Sequence, residues 1–316
     1  MVEEIFHVKL PVNEALSLKR NRFIPEDITK ATGRISIVTG IHGDELEGQY
    51  VCYLLAQWLN NNPEKIKGII DIYPSMNPMG IDSITRGFPF YDVDINRAFP
   101  GSTSDFLPSQ LANAIVESVK GSQYAIDIHS SNIFLRELPQ VRISKAQAKE
   151  LVPLAKSLGI DFIWVHDAVT VLESTFSHAL NSLGTKTLVV EMGVGMRITK
   201  AYGEQLTQGI LNLMAHTGII DEAIKPLGKS AVSTLHSNVH FINSSSAGIF
   251  VPSLEHNVSV KKGDTLGSIV DPLLGTCKET ILSPCNGLLF TIRDYPVVYE
   301  GSLLARILED AMQESE

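Results

Sequence analysis

The chain has 316 residues, 44% of them hydrophobic and 19% charged, with a formal net charge of −9. That length favours two units over one, and the acidic balance argues against nucleic acid or an anionic membrane as the main partner. Three scattered cysteines, Cys52, Cys277 and Cys285, exclude a disulfide framework, and with no signal-like start or membrane-length apolar run the expected location is cytoplasmic.

Residues 1 to 34 read as strand and loop, with Pro11 and Pro25 breaking any long element. Residues 35 to 41 form the first clear strand and lead into a Gly-containing turn, Gly40-Ile41-His42-Gly43-Asp44-Glu45. A helix follows to about Asn60, where Asn60-Asn61-Asn62-Pro63 stops it. Lys67 to Tyr73 predicts a second buried strand, and the alternation predicts a layered α/β sheet. Residues 74 to 106 form a long loop rich in Pro, Gly, Asn and Asp that carries Arg86, Asp94, Asn96 and Arg97. Loops of that length inside compact domains are usually functional or disordered, and those four residues favour function. Helical spacing resumes from Leu107 to Lys120, and a strand over 123 to 129 ends in His129. A strand at 139 to 144, a helix at 145 to 158 and a strand at 161 to 165 lead to His166. A helix at about 173 to 183 precedes an apolar run, 185 to 193, that stops at Glu191-Met192-Gly193. A helix from Ile198 to His216 closes the first unit, and from about residue 226 short strands with frequent turns predict an all-β unit. The expected division is residues 1–225, a catalytic α/β domain, and residues 226–316, a β domain.

His42, Glu45 and His129 would all lie at the carboxyl ends of strands, the edge at which open α/β sheets bind ligands. Two imidazoles and a carboxylate suit three positions of a tetrahedral zinc site with the fourth left open, and suit zinc better than calcium or magnesium. The His42–Glu45 spacing alone says little: with nine histidines and 35 acidic residues, roughly one His-x-x-acid match is expected by chance. Glu191 could serve as the base that takes a proton from a metal-activated water, although such a strand-end carboxylate more often pairs with a cation. Arg86 and Arg97 are candidate anion contacts. Asn96-Arg97 is the more specific, because a guanidinium fork and an amide together fit a carboxylate. Asp94 beside them could hold a liganding imidazole by its other nitrogen. His166 could line the same pocket, whereas His7, His178, His216, His236, His240 and His256 read as surface or packing residues.

Taken in order, Gly40-Ile41-His42-Gly43-Asp44-Glu45, Asn77-Pro78, Arg86, Asp94-Ile95-Asn96-Arg97-Ala98-Phe99-Pro100-Gly101, Asp127-Ile128-His129-Ser130-Ser131 and Glu191-Met192-Gly193 resemble the succinylglutamate desuccinylase/aspartoacylase family, within the zinc-carboxypeptidase superfamily. The resemblance covers about residues 35 to 195. It implies one Zn2+ per chain on His42, Glu45 and His129, with Glu191 as the base and Arg86 polarising the scissile carbonyl. Asn96 and Arg97 would clamp a carboxylate of the product, and Asp94 would orient His42. The implied fold is α/β, a three-layer α/β/α zinc-carboxypeptidase-like sandwich with a mixed sheet, plus a carboxy-terminal β barrel or sandwich-hybrid domain. The implied activity is that of a zinc-dependent amidohydrolase, a deacylase cleaving the amide of an N-acyl amino acid or related small carboxylated amide by zinc-activated water. Its partner would be that small molecule, with a homo-oligomer left open. A zinc carboxypeptidase acting on peptides is the alternative within hydrolases, and a non-catalytic metal-binding relic the alternative outside them. Arg136 and Arg142 are candidates to read the acyl group but match no family motif, and none of the tyrosines, Tyr295 and Tyr299 included, is assigned. Residues 260 to 287 are similar to biotinyl and lipoyl carrier domains, but Lys278 is off-centre for a carrier lysine, so a scaffold without carrier function is expected.

Overall fold

The first strands form a hairpin, β1 (Val2–Lys9) and β2 (Ala15–Phe23), in this computed structural model, which describes all residues except 161, 167–172, 226–230, 234–237 and 311–316. Next come β3 (Arg34–Thr39), α1 (Glu47–Asn61), β4 (Ile69–Tyr73), α2 (Pro78–Ser83), α3 (Leu107–Val119), β5 (Tyr124–His129) and β6 (Leu135–Ser144). They are followed by α4 (Ala148–Leu158), β7 (Phe162–His166), α5 (Phe176–Ser182), β8 (Lys186–Gly193) and α6 (Lys200–His216). The remaining described elements are strands: β9 (Ala231–Ser233), β10 (Val239–Asn243), β11 (Gly248–Pro252), β12 (Val258–Val260), β13 (Thr265–Asp271), β14 (Thr276–Leu282), β15 (Gly287–Arg293), β16 (Val297–Val298) and β17 (Leu303–Glu309). None of the described helices is long and apolar enough to cross a membrane.

Strands β4, β3, β5 and β8 lie side by side and parallel. Each is buried on both faces, which is why they read as nearly continuous apolar runs rather than alternating ones. Ile35, Ile37, Ile126 and Leu188 pack under α1, α4 and α6 on one face. On the other face Val38 and Ala125 pack with Leu111 and Ile115 of α3 and Leu180 of α5. Helix α1 earns its place through Val51, Leu55 and Leu59, one apolar stripe at four-residue spacing. Antiparallel pairing of β2 with β4 and of β6 with β8 makes the sheet mixed. The register sets His129 opposite Glu191 and Thr39 opposite Ile128, so three strands end level with one another.

Several local readings change. Strand β6 begins at Leu135 rather than 139, because Arg136 and Glu137, which look like loop charges, pair with Ile292 and Thr291 of β15. Pro139 sits where the β6–β8 register shifts, which is where a strand tolerates a residue without an N–H. The 74–106 loop is not structureless: it holds α2, with Asn77 as a side-chain cap and Pro78 in the first turn, and a 3-10 turn over Ile95–Arg97. A separate 3-10 turn, Lys145–Gln147, precedes α4.

The strands beyond residue 226 divide between two sheets. β15 pairs with β6, β17 with β15 and β10 with β17, so the large sheet continues through them. β14, β13, β11 and β16 form a second, four-stranded sheet. Phe250, Leu266 and Ile269 of that sheet share a core with Leu289, Ile292 and Ile307 of the first. Lys278 lies within β14 and pairs with Asp271 at 3.2 Å. Cys52 is buried in α1, and burial pushes its thiol up to about 12.

Candidate metal centre at the strand ends

After β3 the chain reverses at Gly40, whose φ of 70° lies in the left-handed region that glycine tolerates. Gly43 then passes so close to α2 that an added Cβ would stand 2.0 Å from the Gly80 carbonyl carbon. Those two glycines bring His42 and Glu45 in over the end of the sheet, where β5 delivers His129.

The three side chains meet. His42 Nδ1 lies 2.9 Å from Glu45 Oε1, and His129 Nδ1 lies 2.9 Å from Glu45 Oε2. The two Nδ1 atoms are 3.2 Å apart, and all three residues are buried. On the far side of each ring, His42 Nε2 is 3.0 Å from Asp94 Oδ1 and His129 Nε2 is 3.0 Å from Asp127 Oδ1. A carboxylate beside Nε2 keeps the proton there and leaves the Nδ1 lone pair facing inward. Two lone pairs and a carboxylate aimed at one another repel unless protons or a metal cation lie between them. Two nitrogens and a carboxylate also form a donor set that zinc accepts, so these residues fit that ion.

The electrostatics agree with strong coupling. Burial alone would raise the Glu45 carboxyl, yet His42 and His129 hold it well below the usual carboxylate range. Burial works against charge on His129 too, but Asp127 and Glu45 hold its imidazole well above the usual value. Asp94 is drawn down to about 2, because His42 and Arg86 outweigh its burial.

Glu191 stands on the neighbouring strand. Its Oε2 accepts the Ser131 N–H at 2.5 Å and its Oε1 accepts Arg142 Nη1 at 3.3 Å. Burial raises its carboxyl above the ordinary value, with Arg142 and His129 pulling the other way. Arg142 also donates through Nη2 to Glu137 Oε2 at 2.6 Å. Glu137, fully buried in β6, accepts from Arg306 Nη1 of β17 and from Thr291 Oγ1 of β15 as well.

Arg86 Nη1 donates to Glu45 Oε1 at 2.7 Å, and its Nε lies 3.7 Å from Asp94 Oδ2. Asn96 is held by the Phe176 N–H on its Oδ1 at 2.9 Å, and Arg97 Nη1 donates to the Asn96 carbonyl at 2.8 Å. His42, Glu45, Arg86, Asn96, Arg97, His129 and Glu191 all line one cleft of about 490 Å³; Asp94 stands behind His42 outside that lining. Of the two arginines nominated for an acyl group, Arg142 lines the cleft, while Arg136 pairs with Asp294 at 3.1 Å. His166 lines it, and so does His178, which reads from sequence as a surface or packing residue. Trp164, Phe241 and Arg306 also line it. Sequence reasoning passed over these three and Glu137. The available signal was Glu137, Gln140 and Arg142, polar residues placed within a largely buried strand.

A sequence model described as the succinylglutamate desuccinylase/aspartoacylase catalytic domain matches residues 31–217, a span that runs from before His42 to beyond Glu191. No curated protein matches the chain. Among solved structures, a succinylglutamate desuccinylase/aspartoacylase from Rhodobacter sphaeroides is similar at 22% identity and a TM-score of 0.81, covering 98% of this chain and 96% of that one. The product-bound ectoine utilization protein EutE (DoeB) from Ruegeria pomeroyi is similar at 18% identity and a TM-score of 0.81, covering 98% and 95%. An aspartoacylase family protein from Mesorhizobium loti is similar at 21% identity and a TM-score of 0.76, covering 98% and 96%. At such identities the structures share a mixed α/β fold. The sequence match, which takes in more than half of the chain, decides membership: this protein belongs to the succinylglutamate desuccinylase/aspartoacylase family.

Proposed function

We propose that the protein is a zinc-dependent deacylase that hydrolyses the amide of an N-acyl amino acid or a related small carboxylated amide. The observation that carries this reading is the convergence of His42, Glu45 and His129 beside a separately anchored Glu191. Zinc held by those three residues would supply a Lewis acid and bring a water's pKa toward neutrality.

The chain's own groups do the rest. Glu191, fixed by the Ser131 N–H, accepts the proton of the attacking water and returns it to the departing amine nitrogen. A carboxylate whose pKa is raised by burial suits both transfers, since it releases the proton nearer neutral pH. Arg86, beside Glu45, donates to the oxygen that gains charge, a contribution of about 3 kcal/mol where such a donor is fixed in advance. Asn96 and Arg97 hold the substrate carboxylate, while Asp94 and Asp127 keep both imidazoles turned inward. A cleft of about 490 Å³ is of the size that takes small molecules. Phe241 and Arg306 from β10 and β17 form part of its wall, which favours a small amide over a peptide.

The test is a panel of N-formyl, N-acetyl and N-succinyl amino acids with detection of released amine, run on dialysed protein whose zinc content is measured. Stoichiometric zinc with amine release from at least one member is expected. Stoichiometric zinc with no release from any would overturn the reading.

A further inference from the structure

His240, Cys285 and Glu309 bring a nitrogen, a sulfur and a carboxylate oxygen within 4.8 Å of one another. They come from three neighbours in the large sheet: His240 from β10, Glu309 from the end of β17, and Cys285 from the turn before β15. None of the three lines the cleft that holds His42 and Glu191. His240 stands opposite Ile307, two residues before Glu309, so the pleat turns both side chains to one face. There His240 Nε2 lies 2.9 Å from Glu309 Oε2. The cysteine is pinned by its backbone. Ser283 Oγ donates to the Cys285 carbonyl at 2.7 Å. The next residue, Asn286, accepts the Lys262 N–H on Oδ1 at 2.9 Å and the Asp310 N–H on its carbonyl at 3.0 Å.

Cys285 is 6% exposed, and its thiol has no hydrogen-bond partner among the described residues. Burial pushes that thiol up, and the carboxylates of Glu309 and Asp310 push the same way. Such a thiol does not ionise alone and makes a poor nucleophile. A divalent cation reverses this, because a coordinating thiol gives up its proton. One imidazole, one thiolate and one carboxylate suit zinc, whereas calcium and magnesium prefer oxygen donors. Donors on a tetrahedral zinc stand roughly 3.5 Å apart, and the side chains of His240 and Glu309, 35% and 43% exposed, have the freedom to close on the fixed sulfur. We propose that His240, Cys285 and Glu309 form a second zinc site, a structural clip joining β10, β17 and β15, with water as the fourth ligand. The clip pins the strands that supply Phe241 and Arg306 to the cleft wall. It does not depend on the deacylase reading, because the centre at His42, Glu45 and His129 contains no sulfur.

The test is a cobalt titration of the metal-stripped full chain carrying Cys277→Ser, which silences the exposed thiol, with a non-thiol reductant present. A thiolate gives cobalt an intense near-ultraviolet charge-transfer band that nitrogen and oxygen donors do not. The band therefore reports this site even while cobalt also fills the centre at His42, Glu45 and His129. Its appearance is expected, and excess zinc should bleach it. Adding Cys285→Ser should abolish the band and lower the bound cobalt by one equivalent per chain, whatever the other centre holds. His240→Ala, a change outside the core, should lose the same equivalent, and it decides the matter if Cys285→Ser does not fold. No band, a band that survives Cys285→Ser or excess zinc, or an undiminished cobalt count in His240→Ala overturns the proposal.

Discussion

The Ser131 N–H donates to Glu191 Oε2 at 2.5 Å, two residues after His129 leaves the end of β5. One strand terminus therefore supplies an imidazole of the candidate metal centre and also anchors the acid on the strand beside it. The separation between these groups is set by the spacing of two paired strands.

Glu191→Gln should retain stoichiometric zinc and lose activity by about 10³-fold, in the range expected for removing a general base. The amide can still accept the Ser131 N–H but cannot take a proton. Elemental analysis together with initial rates checks this, and near-normal turnover would remove Glu191 from the reaction.

Asp94→Asn and Asp127→Asn should each weaken zinc affinity by about 10- to 100-fold, because the imidazole behind each would lose its charged partner. Competition with a chromophoric chelator measures the change. Folding stability of the zinc-free protein should move far less than the metal affinity.

Gly43→Ala should destabilise the protein by about 3 kcal/mol, since the new methyl would meet the backbone of α2 rather than a yielding side chain. Zinc content should fall with it, because the same turn carries His42 and Glu45. Urea unfolding curves alongside metal analysis would show whether the two losses travel together.

Asp71 predicts an acid-side effect remote from the cleft. It is fully buried on β4, and although burial raises its carboxyl, Arg22, Arg34 and Arg20 hold it below the ordinary value. A folded-state pKa below the unfolded one adds stability that is fully present above about pH 4 and fades as pH falls through the folded value. Asp71→Asn should cost about 3 kcal/mol at pH 7, as for removing one partner of a buried ion pair. It should also show a smaller loss of stability than wild type between pH 5 and the acid limit, which denaturant midpoints measured across that range would test.

The meeting of His42, Glu45 and His129 is legible because each follows an apolar run that must be a buried strand, and parallel strands end on one edge. Asp94, Asn96 and Arg97 are legible as a cluster because they are neighbours in sequence. Glu137, Trp164, Phe241 and Arg306 are not: β6 and β7 are successive strands, but they meet β10 and β17 only through β15, by pairings between strands far apart in the chain. Local pattern carries no information on such partners. His178 escaped for a related reason: its place depends on α5 docking against Asn96 through the Phe176 N–H, which spacing within α5 does not reveal.

The ladder between β6 and β15 has a practical outcome for anyone wishing to trim this enzyme. A truncation near residue 225 would strip a hydrogen-bonded neighbour from β6, bare a sticky margin prone to self-association, and abandon Glu137 without Arg306. Heating the intact molecule should accordingly give one melting step, and swapping its carboxy-terminal strands for a foreign module would have to rebuild both the strand and the arginine.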